Sequence, residues 1–374
     1  MSETTINRSV DVLLVGAGPI GLELAIGLRQ AGVDYLHLEA QQIGHTVSWY
    51  PRQARFFSSP ERIAVGGVPL LTVDQSKATR EEYLTYLLAV TQQFQLPIQT
   101  YERVTRVRSP QQTGEDAFEV ESRTAAGEVR RYRARRVILA IGDMHEPRPL
   151  AHAGAGLVPG ADLPHVSHYF EEPHPYAFRR VLVVGGKNSA VEAALRCHRV
   201  GAEVSLCFRQ PQLADSIKYW LKPEVEWLMQ SGAIRGFPGR VPVEITPTEV
   251  VLAPVDAQGS PLHDRSCHER LPFDSVLLLI GYQMDPELLA NAGVELRGPG
   301  RTPVTDPSTQ QTNVRGLYVA GTAAAGTQLH FRLFIENCHA HVVRILRHLT
   351  GKDPQSVNPL AFSRLHENPI PAES

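Results

Sequence analysis

Three glycines near residue 20 have the spacing of a phosphate-binding turn. Gly16, Gly18 and Gly21 form the pattern G-x-G-x-x-G within VLLVGAGPIG, and Pro19 and Ile20 fill two of the remaining positions. The first glycine permits a tight turn, the second a close approach of the backbone to a pyrophosphate, and the third close packing of a helix on a strand. The pattern predicts that this turn binds the diphosphate of a dinucleotide.

The elements that must position this turn are also indicated. An apolar strand is predicted at 11–15, a helix at 22–31 and a second strand at 35–38. The phosphate would lie at the positive N-terminal end of the helix. The second strand is followed by Glu39, at the position where an acidic residue binds the 2′-hydroxyl of a ribose.

A second turn follows another apolar strand, within VLVVGGKNSA at 181–190. Its residues are Gly185, Gly186, Lys187, Asn188, Ser189 and Ala190. Lys187 stands in place of the middle glycine, so its side chain must point away from the backbone or toward a phosphate. Ala190 is small enough to keep the close packing of helix on strand. A helix is predicted at 189–200 and a strand at 203–208.

Arg209 follows that strand, at the place where the first turn has Glu39. An arginine at this position accommodates a 2′-phosphate, whereas an acidic residue favours a free hydroxyl. The comparison predicts NADPH rather than NADH as the second nucleotide. The alternative is that Arg209 is a solvated residue that closes a strand.

A further repeat relates the two turns. VILAIG at 137–142 is followed by Pro147, and VLLLIG at 276–281 by Pro286, so both copies read Ile-Gly-x-x-x-x-Pro. Matching exits after two glycine turns predict two related domains of the α/β class. A length of 374 residues suits two domains of ordinary size.

Charge and composition exclude several other classes. A formal net charge of -2 gives no general attraction to nucleic acid or to an anionic membrane surface. The apolar stretch at 12–28 contains Glu23 and four glycines, which favours a buried strand and helix over a membrane span. No signal segment precedes it, so we expect a cytoplasmic protein.

The four cysteines include no C-x-x-C pair, which is the usual dithiol relay of a flavoprotein. Cys197, Cys207 and Cys267 lie in ordinary contexts, and the Cys-His pairs lack zinc-ligand spacing, so no metal site is predicted. Cys338 is a weak redox candidate. It lies in a helix predicted at 334–348, after the strand and small-residue turn of GLYVAGTAAAG. In two-dinucleotide flavoproteins such a helix directs its N-terminus at the flavin, where the helix dipole favours negative charge.

Several longer stretches resemble one family. The chain resembles the flavin-dependent disulfide reductases of the thioredoxin-reductase-like class, most closely the bacillithiol-disulfide reductase (YpdA-type) family. The resemblance extends from about residue 10 to about residue 345. It is carried by YPRQARFFSSPERIAVGGVPL, VPGADLPHVSHYFEEPHPY, GGKNSAVEAAL, SIKYWLKPEVEWLMQSGAI and FIEN.

The resemblance implies two Rossmann-like dinucleotide-binding domains, with an NADPH domain inserted into an FAD domain. The FAD domain would comprise residues 8–150 and 287–350, the NADPH domain 175–286, a linker 151–174, and an irregular C-terminal tail 351–374. Electrons would pass from NADPH through the flavin to a small-molecule acceptor, a low-molecular-weight thiol disulfide. Dimers are common in such flavoproteins, so a homodimer is one expectation.

The same resemblance assigns residues to each nucleotide. The FAD set is Gly16, Gly18, Pro19, Ile20, Gly21, Glu39, Gly142, Gly321 and Thr322. The NADPH set is Gly185, Gly186, Lys187, Asn188, Ser189, Ala190, Arg209 and Lys218. Lys218 would add a second cation near the 2′-phosphate, and its alternative role is that of a surface lysine.

Two residues depart from the family pattern. The family has a cysteine directly after the Gly-Pro of the first turn, where this chain has Ile20, which cannot form a mixed disulfide. Related flavoproteins place an aspartate where this chain has Thr322, although a threonine can still hydrogen-bond a ribityl hydroxyl. Catalysis is therefore centred on the flavin, and His330, Glu336 and Cys338 are only weak candidates for a catalytic role.

Three other functions stay open at the level of the sequence. A flavin-dependent monooxygenase ranks second, because LPHVSHYF only loosely imitates its histidine-bearing segment. A ferredoxin- or flavodoxin-NADP reductase needs no cysteine, which suits Ile20. A nucleotide-binding protein without turnover would keep the fold but would not reduce its flavin.

Overall fold

The computed structural model describes residues 7–152, 156–329 and 332–359. They fall into two compact units. The first unit takes in residues up to 48, then 53–146, and the chain from 282 onward, while the second takes in 49–52 and 147–281. The chain thus enters and leaves the second unit within the two repeated Ile-Gly-x-x-x-x-Pro segments. Residues 151–174, expected as a linker, lie in the second unit, and the limits of the functional domains stay a prediction.

The elements of the first part of the chain alternate between strands and helices. They are β1 (Arg8–Val15), α1 (Pro19–Gln30), β2 (Tyr35–Leu38), α2 (His45–Ser48), α3 (Pro60–Ile63), α4 (Arg80–Gln93), β3 (Ile98–Gln99), β4 (Glu102–Arg108), α5 (Pro110–Thr113), β5 (Phe118–Thr124), β6 (Val129–Leu139) and β7 (Glu146–Pro147).

The second unit contains a second βαβ arrangement and a small antiparallel sheet. Its elements are β8 (Ala151–His152), β9 (Gly156–Leu157), β10 (Val166–Ser167), a 3-10 turn (His174–Tyr176), β11 (Arg180–Val184), α6 (Asn188–Arg199), β12 (Glu203–Phe208), α7 (Lys222–Gln230), β13 (Arg235–Pro238), β14 (Arg240–Ile245), β15 (Glu249–Pro254), a 3-10 turn (Arg265–Cys267), β16 (Glu269–Pro272) and β17 (Ser275–Leu278).

The chain then returns to the first unit and ends in a long helix. The elements are β18 (Tyr282–Gln283), α8 (Glu287–Asn291), β19 (Leu296–Arg297), β20 (Thr302–Pro303), β21 (Leu317–Val319), a 3-10 turn (Gly321–Ala325) and α9 (Ile335–Thr350). Helix α9 ends where Gly351 adopts a left-handed conformation, φ +72°, and its N–H donates to the carbonyl of Arg347.

The sheet of the first unit has the order β3-β2-β1-β6-β5-β4. Strand β21 pairs with the C-terminal end of β6, beyond the part of β6 that pairs with β5. Strands β1, β2, β3, β6 and β21 are parallel, while β4, β5 and β6 form an antiparallel run. The central strands are buried on both faces, which explains their continuous apolar sequences. This order brings the C-terminal ends of β1, β6 and β21 side by side, at the edge where α/β sheets bind ligands.

The sheet of the second unit repeats this pattern with the parallel order β10-β17-β11-β12-β13. Strand β17, the counterpart of β6, pairs with β11 through Val184 and Leu278 at their C-terminal ends. The antiparallel sheet β14-β15-β16 adds to this unit. One apolar cluster packs α6 and α7 on the parallel sheet, and a second cluster lies between that sheet and the antiparallel strands.

Helix α1 begins at Pro19, three residues before its predicted start at 22. Proline is well tolerated at the first helical position, because its missing N–H would have no partner there. The helix packs closely on α9, since a Cβ added at Gly27 would overlap Leu346. Helix α6 likewise starts at Asn188, one residue earlier than expected.

A buried ion pair joins α1 to α9. Glu23 and His339 are fully buried, and the Nδ1 atom of His339 lies 2.5 Å from the Glu23 carboxylate. The other ring nitrogen lies 3.0 Å from the carbonyl oxygen of Arg62. Because both partners are acceptors, His339 is doubly protonated. Burial works to lower the pKa of His339, but the charge and hydrogen bond of Glu23 raise it above its ordinary value.

The same carboxylate anchors the segment after α9. Glu23 accepts backbone hydrogen bonds from Asn358 at 2.6 Å and Gly66 at 3.0 Å, and Asn358 is fully buried. Within the predicted tail, Val357 and Asn358 are buried although the chain there is irregular, while residues 360–374 lie outside the described part. Within the described ranges, no helix combines the length and the apolar character needed to span a bilayer.

Candidate functional site

The first glycine turn has the backbone that its sequence requires. Gly16 has φ +100°, and a Cβ there would overlap the carbonyl oxygen of Ala140 at the end of β6. A Cβ at Gly21 would overlap the carbonyl oxygen of Gly16. By contrast, nothing lies within 4 Å of the Cβ position of Gly18, so the backbone is open to a ligand at that point.

Glu39 is attached directly to this turn. One carboxylate oxygen accepts the N–H of Ala17 at 2.6 Å, and the other accepts the N–H of Gln41 at 2.8 Å. Each oxygen retains a second acceptor position. The carboxylate is therefore held in place and can still accept a hydrogen bond from a ribose hydroxyl.

His37 holds the first glycine turn through a hydrogen bond to Gly16, a role that the sequence did not indicate. It is fully buried on β2, and its Nε2 atom lies 2.9 Å from the carbonyl oxygen of Gly16. Burial lowers the pKa of His37 to about 4, against a smaller opposing effect of that hydrogen bond. The neutral ring therefore donates to Gly16 and holds the carbonyl that packs against Gly21.

The N-terminus of α1 carries no side-chain cap. Its first backbone N–H groups are thus available to an external acceptor, as a bound diphosphate requires. Together with the open backbone at Gly18 and the fixed carboxylate of Glu39, this fits the adenosine diphosphate part of FAD.

The ends of β6 and β21 bring the other predicted FAD residues to the same place. The strands pair through Leu139 and Val319, which puts the loops that follow them side by side. A Cβ at Gly142 would lie 3.9 Å from Thr322 Oγ1, and a Cβ at Gly321 would lie 3.6 Å from the Cβ of Ile20. The buried side chain of Ile20 therefore packs where the family places its cysteine.

Asp143 also lies at this strand end, and no sequence motif pointed to it. Its side chain is buried, with 8% exposed, and Oδ2 accepts a 2.9 Å hydrogen bond from Nε2 of Gln328. Burial raises the pKa of Asp143, and hydrogen bonds from Gln328 and Thr322 oppose the shift. A buried carboxyl next to the predicted flavin residues is a feature that only the fold shows.

The three weak catalytic candidates fare differently. Cys338 is completely buried, and burial raises its pKa, with a further contribution from the negative charge of Asp143. Such a thiol is inert at neutral pH. Glu336 is mostly buried and lies 4.0 Å from the guanidinium of Arg62. His330 lies outside the described residues.

The second glycine turn is built like the first. Gly185 has φ +142°, and a Cβ there would overlap the carbonyl oxygen of Leu279 at the end of β17 and lie 2.9 Å from the Cβ of Ala190. Lys187 is the N-cap residue of α6 in an extended conformation, and no side chain caps the helix. Gly186 and Ser189 lie beside it in the turn and the first helical turn.

Asn188 joins this turn to the segment SIKYW. Its Oδ1 accepts the N–H of Lys218 at 2.7 Å, and its Nδ2 donates to the carbonyl of Ser216 at 3.3 Å. The two stretches that carried the narrowest resemblance are therefore in direct contact.

Three cations gather at the second turn. Partial desolvation lowers the pKa of Lys187, and the positive charges of Arg148 and Arg209 lower it further. Arg209 is exposed and packs against Gly259, whose Cβ position lies 2.9 Å from Arg209 Cδ. Arg148 was missed by the sequence reasoning, because it precedes the second turn by more than 30 residues. Converging cations at an uncapped helix N-terminus suit a phosphate-bearing ligand.

Lys218 is not a surface lysine. It is buried, with 9% exposed, and its ammonium forms a 3.1 Å ion pair with Glu192 and lies 5.7 Å from the ring centroid of Trp220. Its predicted role as a second phosphate-binding cation would require this pair to be shared with the ligand, and it stays a prediction.

The other cysteines show no sign of activation. Cys197 and Cys207 are buried, and burial raises the pKa of each thiol to about 12. Cys267 is half-buried, and its thiol donates to the carbonyl of Asp264 at 2.8 Å. In the part of the chain that the structure describes, no cluster of three or more His, Cys, Asp or Glu residues could hold a metal ion.

Similarity to known proteins agrees with this geometry. Residues 13–321 match the family described as pyridine nucleotide-disulphide oxidoreductase. The chain is 33% identical to Bacilliredoxin reductase Bdr of Bacillus subtilis over 88% of its own length and 94% of that protein. It is 25% identical to a Ferredoxin--NADP reductase of Ignicoccus hospitalis over 83% of its own length and 89% of that protein.

Solved structures show the same relationship. Bacillithiol Disulfide Reductase Bdr (YpdA) from Bacillus cereus superimposes with a TM-score of 0.82 at 31% identity, covering 92% of this chain and 99% of that one. The thioredoxin reductase of T. acidophilum, at 20% identity and a TM-score of 0.64 over 92% of this chain and 99% of that one, shares the fold.

The fold and the paired turns define a two-domain flavoprotein class with two Rossmann-like dinucleotide-binding domains, as predicted. The chain belongs to the pyridine nucleotide-disulphide oxidoreductase family. The resemblance to the YpdA-type enzymes is confirmed, and so is an oxidoreductase that uses FAD and NAD(P)H. The assignment of single residues to either nucleotide stays a prediction.

Proposed function

We propose that this protein is an NADPH-dependent flavoprotein that reduces a low-molecular-weight thiol disulfide of the bacillithiol type. The observation that carries the proposal is the contrast between the two turns in one chain. Glu39 is fixed at the first turn, whereas Lys187, Arg148 and Arg209 gather at the second. Relatives named for bacillithiol disulfide and bacilliredoxin supply the acceptor class.

The residues of the first unit would hold FAD. The N–H groups at the start of α1 and the open backbone at Gly18 would bind the diphosphate, and Glu39 would bind the adenosine ribose. Gly142, Gly321 and Thr322 would border the ribityl chain. Ile20, packed against Gly321, would add an apolar wall that excludes water.

The residues of the second unit would select NADPH. Arg209 and Lys187, with Arg148, would bind the phosphates of the nucleotide, including the 2′-phosphate that NADH lacks. Asn188 would keep the turn in register with the segment at 216–218. The ion pair of Lys218 with Glu192 would hold that segment against α6.

When bound, FAD supplies the chemistry of accepting a hydride from NADPH and passing two electrons to the acceptor. The balanced reaction is NADPH plus a proton plus the disulfide, giving NADP⁺ and two thiols. The protein's part is positioning and exclusion of water. Because Ile20 replaces the family's cysteine and burial raises the pKa of Cys197, Cys207 and Cys338, none of these three thiols would form a mixed disulfide with the acceptor.

The second candidate is a ferredoxin-NADP reductase. Ile20 in place of the family's cysteine and the high pKa of the buried thiols favour it, because one-electron transfer to a protein partner needs no thiol. Relatives with that name are more distant, at 25% to 27% identity.

We propose a cytoplasmic location, where NADPH is available, and a homodimer as the assembly.

The test is an anaerobic titration of the FAD-loaded protein with NADPH, followed by separate additions of bacillithiol disulfide, ferredoxin and oxygen. Loss of the flavin absorbance with NADPH, and its rapid return with the disulfide, would support the proposal. Faster return with ferredoxin would favour the second candidate. Rapid return with oxygen alone, accompanied by substrate hydroxylation, would favour a monooxygenase. If NADPH leaves the flavin absorbance unchanged, the proposal is wrong.

A further inference from the structure

The carboxyl of Asp143 is connected to the start of α9 through two side-chain amides. Nε2 of Gln328 donates to Asp143 and to the carbonyl of Leu333, both at 2.9 Å. Its Oε1 accepts the backbone N–H groups of Arg332 and Leu333, at 2.8 and 2.9 Å. All of these polar atoms are buried or half-buried. Gln328 therefore holds Arg332 and Leu333 in place before α9, and Asp143 holds Gln328.

The second amide continues this connection into the helix. Nδ2 of Asn337 donates to the carbonyl of Arg332 at 2.7 Å, and its Oδ1 accepts the N–H of Phe334 at 2.9 Å. Phe334 is the residue before the first turn of α9. The position of the helix N-terminus thus depends on a hydrogen-bonded series that begins at Asp143.

Among the residues that the structure describes, few groups can balance the charge of Asp143. The titratable groups that act on it are Cys338 on α9 and His145 on its own loop. Nε2 of His145 lies 2.9 Å from the carbonyl of Ile141, and its Nδ1 accepts the N–H of Asp285 at 3.0 Å. Gln328 and Thr322 supply hydrogen bonds but no positive charge.

We propose that Asp143 is a positioning residue of the flavin site whose charge state sets the redox potential of the bound flavin. The inference rests on the proposed function in that it requires FAD at the ends of β6 and β21. An ionised carboxyl there opposes the addition of electrons to its neighbour, and a protonated carboxyl does not. Burial, which raises the pKa of Asp143, brings the change of charge closer to neutral pH.

The test compares the flavin midpoint potential of the wild type and D143N, both loaded with FAD, from acid to alkaline pH. Asparagine keeps the shape and the acceptor for Gln328 but cannot ionise. At alkaline pH we expect the equilibrium constant for two-electron reduction to be about tenfold larger in D143N, equivalent to about 30 mV. The two proteins should converge at acid pH, where the wild-type carboxyl is protonated. D34N, which neutralises an exposed carboxylate bonded to Arg8, should match the wild type throughout.

A second variant separates charge from position. Q328L keeps the carboxyl but removes the hydrogen bond that lowers its pKa, so the pH at which the potential changes should move upward. A purely structural role predicts weaker FAD retention in both variants with no pH-dependent difference in potential.

If D143N does not retain FAD, infrared difference spectra of the wild type replace the comparison of potentials. In the pH range where the wild-type potential changes, flavin reduction should then produce a carboxylic acid carbonyl band that shifts in heavy water, because added negative charge on the flavin favours protonation of the carboxyl. Absence of that band, or equal potentials of wild type and D143N at every pH, overturns the inference while leaving the proposed function intact. Failure of the wild type to bind FAD or to accept electrons from NADPH instead overturns the proposed function.

Discussion

Replacing Arg209 with glutamine tests the assignment of the second nucleotide. Arg209 is exposed at the end of β12, and its charge contributes to the lowered pKa of Lys187 across the turn. Glutamine keeps much of the side-chain length and its packing against Gly259 but removes the positive charge. R209Q should therefore weaken binding of NADPH selectively.

The size of the effect follows from the contacts that Arg209 would make. A hydrogen bond to a charged group contributes about 1.5–3 kcal/mol. Since each 1.4 kcal/mol is a factor of ten, the dissociation constant for NADPH should rise about 10- to 100-fold. Binding should not be lost entirely, because Lys187 and Arg148 remain. NADH lacks the 2′-phosphate, so its affinity should change by less than about twofold.

The assay is equilibrium binding of NADPH and NADH to the FAD-loaded protein, at low and high salt. The effect of R209Q on NADPH should shrink at high salt, because the contact is solvent-exposed and screened. R270Q is the matched control. Arg270 is exposed in the same unit and pairs with Glu244 and Glu249, so its loss should leave both nucleotides unaffected. Equal weakening of NADPH and NADH by R209Q would refute the role of Arg209 as a 2′-phosphate ligand.

Four further predictions concern the first unit. I20C places a thiol at the N-terminus of α1, a position that lowers the pKa of a thiol, so treatment with iodoacetamide should abolish its activity, whereas the wild type should keep its activity because its buried thiols are inert. E23Q should lower the free energy of unfolding by about 3–5 kcal/mol, measured by urea denaturation, since it leaves the charge of His339 buried without its partner. The pair also makes the free energy of unfolding depend on pH, because the pKa of His339 is raised in the folded state. The stabilisation by the pair is complete below about pH 6.5 and is lost as pH rises through the folded pKa. H339Q should abolish this pH dependence. G27A should cost about 1–3 kcal/mol by the same denaturation assay, because the added methyl overlaps Leu346, and an unchanged midpoint would contradict the close packing of α1 on α9.

The amino-acid sequence predicted the two turns because their chemistry is local. A left-handed or crowded backbone at Gly16, Gly21 and Gly185 excludes other side chains, and that constraint is visible in the residue types themselves. The helix starts were misplaced by one to three residues, since Pro19 and Asn188 are compatible with either side of a helix boundary.

The residues that the sequence did not reveal act through contacts between distant parts of the chain. Asp143 and Gln328 are separated by 185 positions, and Glu23 and His339 by 316. Arg148 reaches the second turn from the segment that enters the second unit. No spacing pattern links such residues, because only the pairing of β6 with β21 and the packing of α1 on α9 bring them together.

The sequence by itself determined that the chain carries two glycine turns of the dinucleotide-binding type. It also determined that Glu39 follows the second strand of the first turn and Arg209 the corresponding strand of the second turn. Both features are properties of short segments. The tertiary structure alone decided which carboxyl is buried beside the predicted flavin residues, which cations gather at the second turn and which thiols are inert. Burial and neighbouring charge decide these properties, and both depend on where distant segments pack.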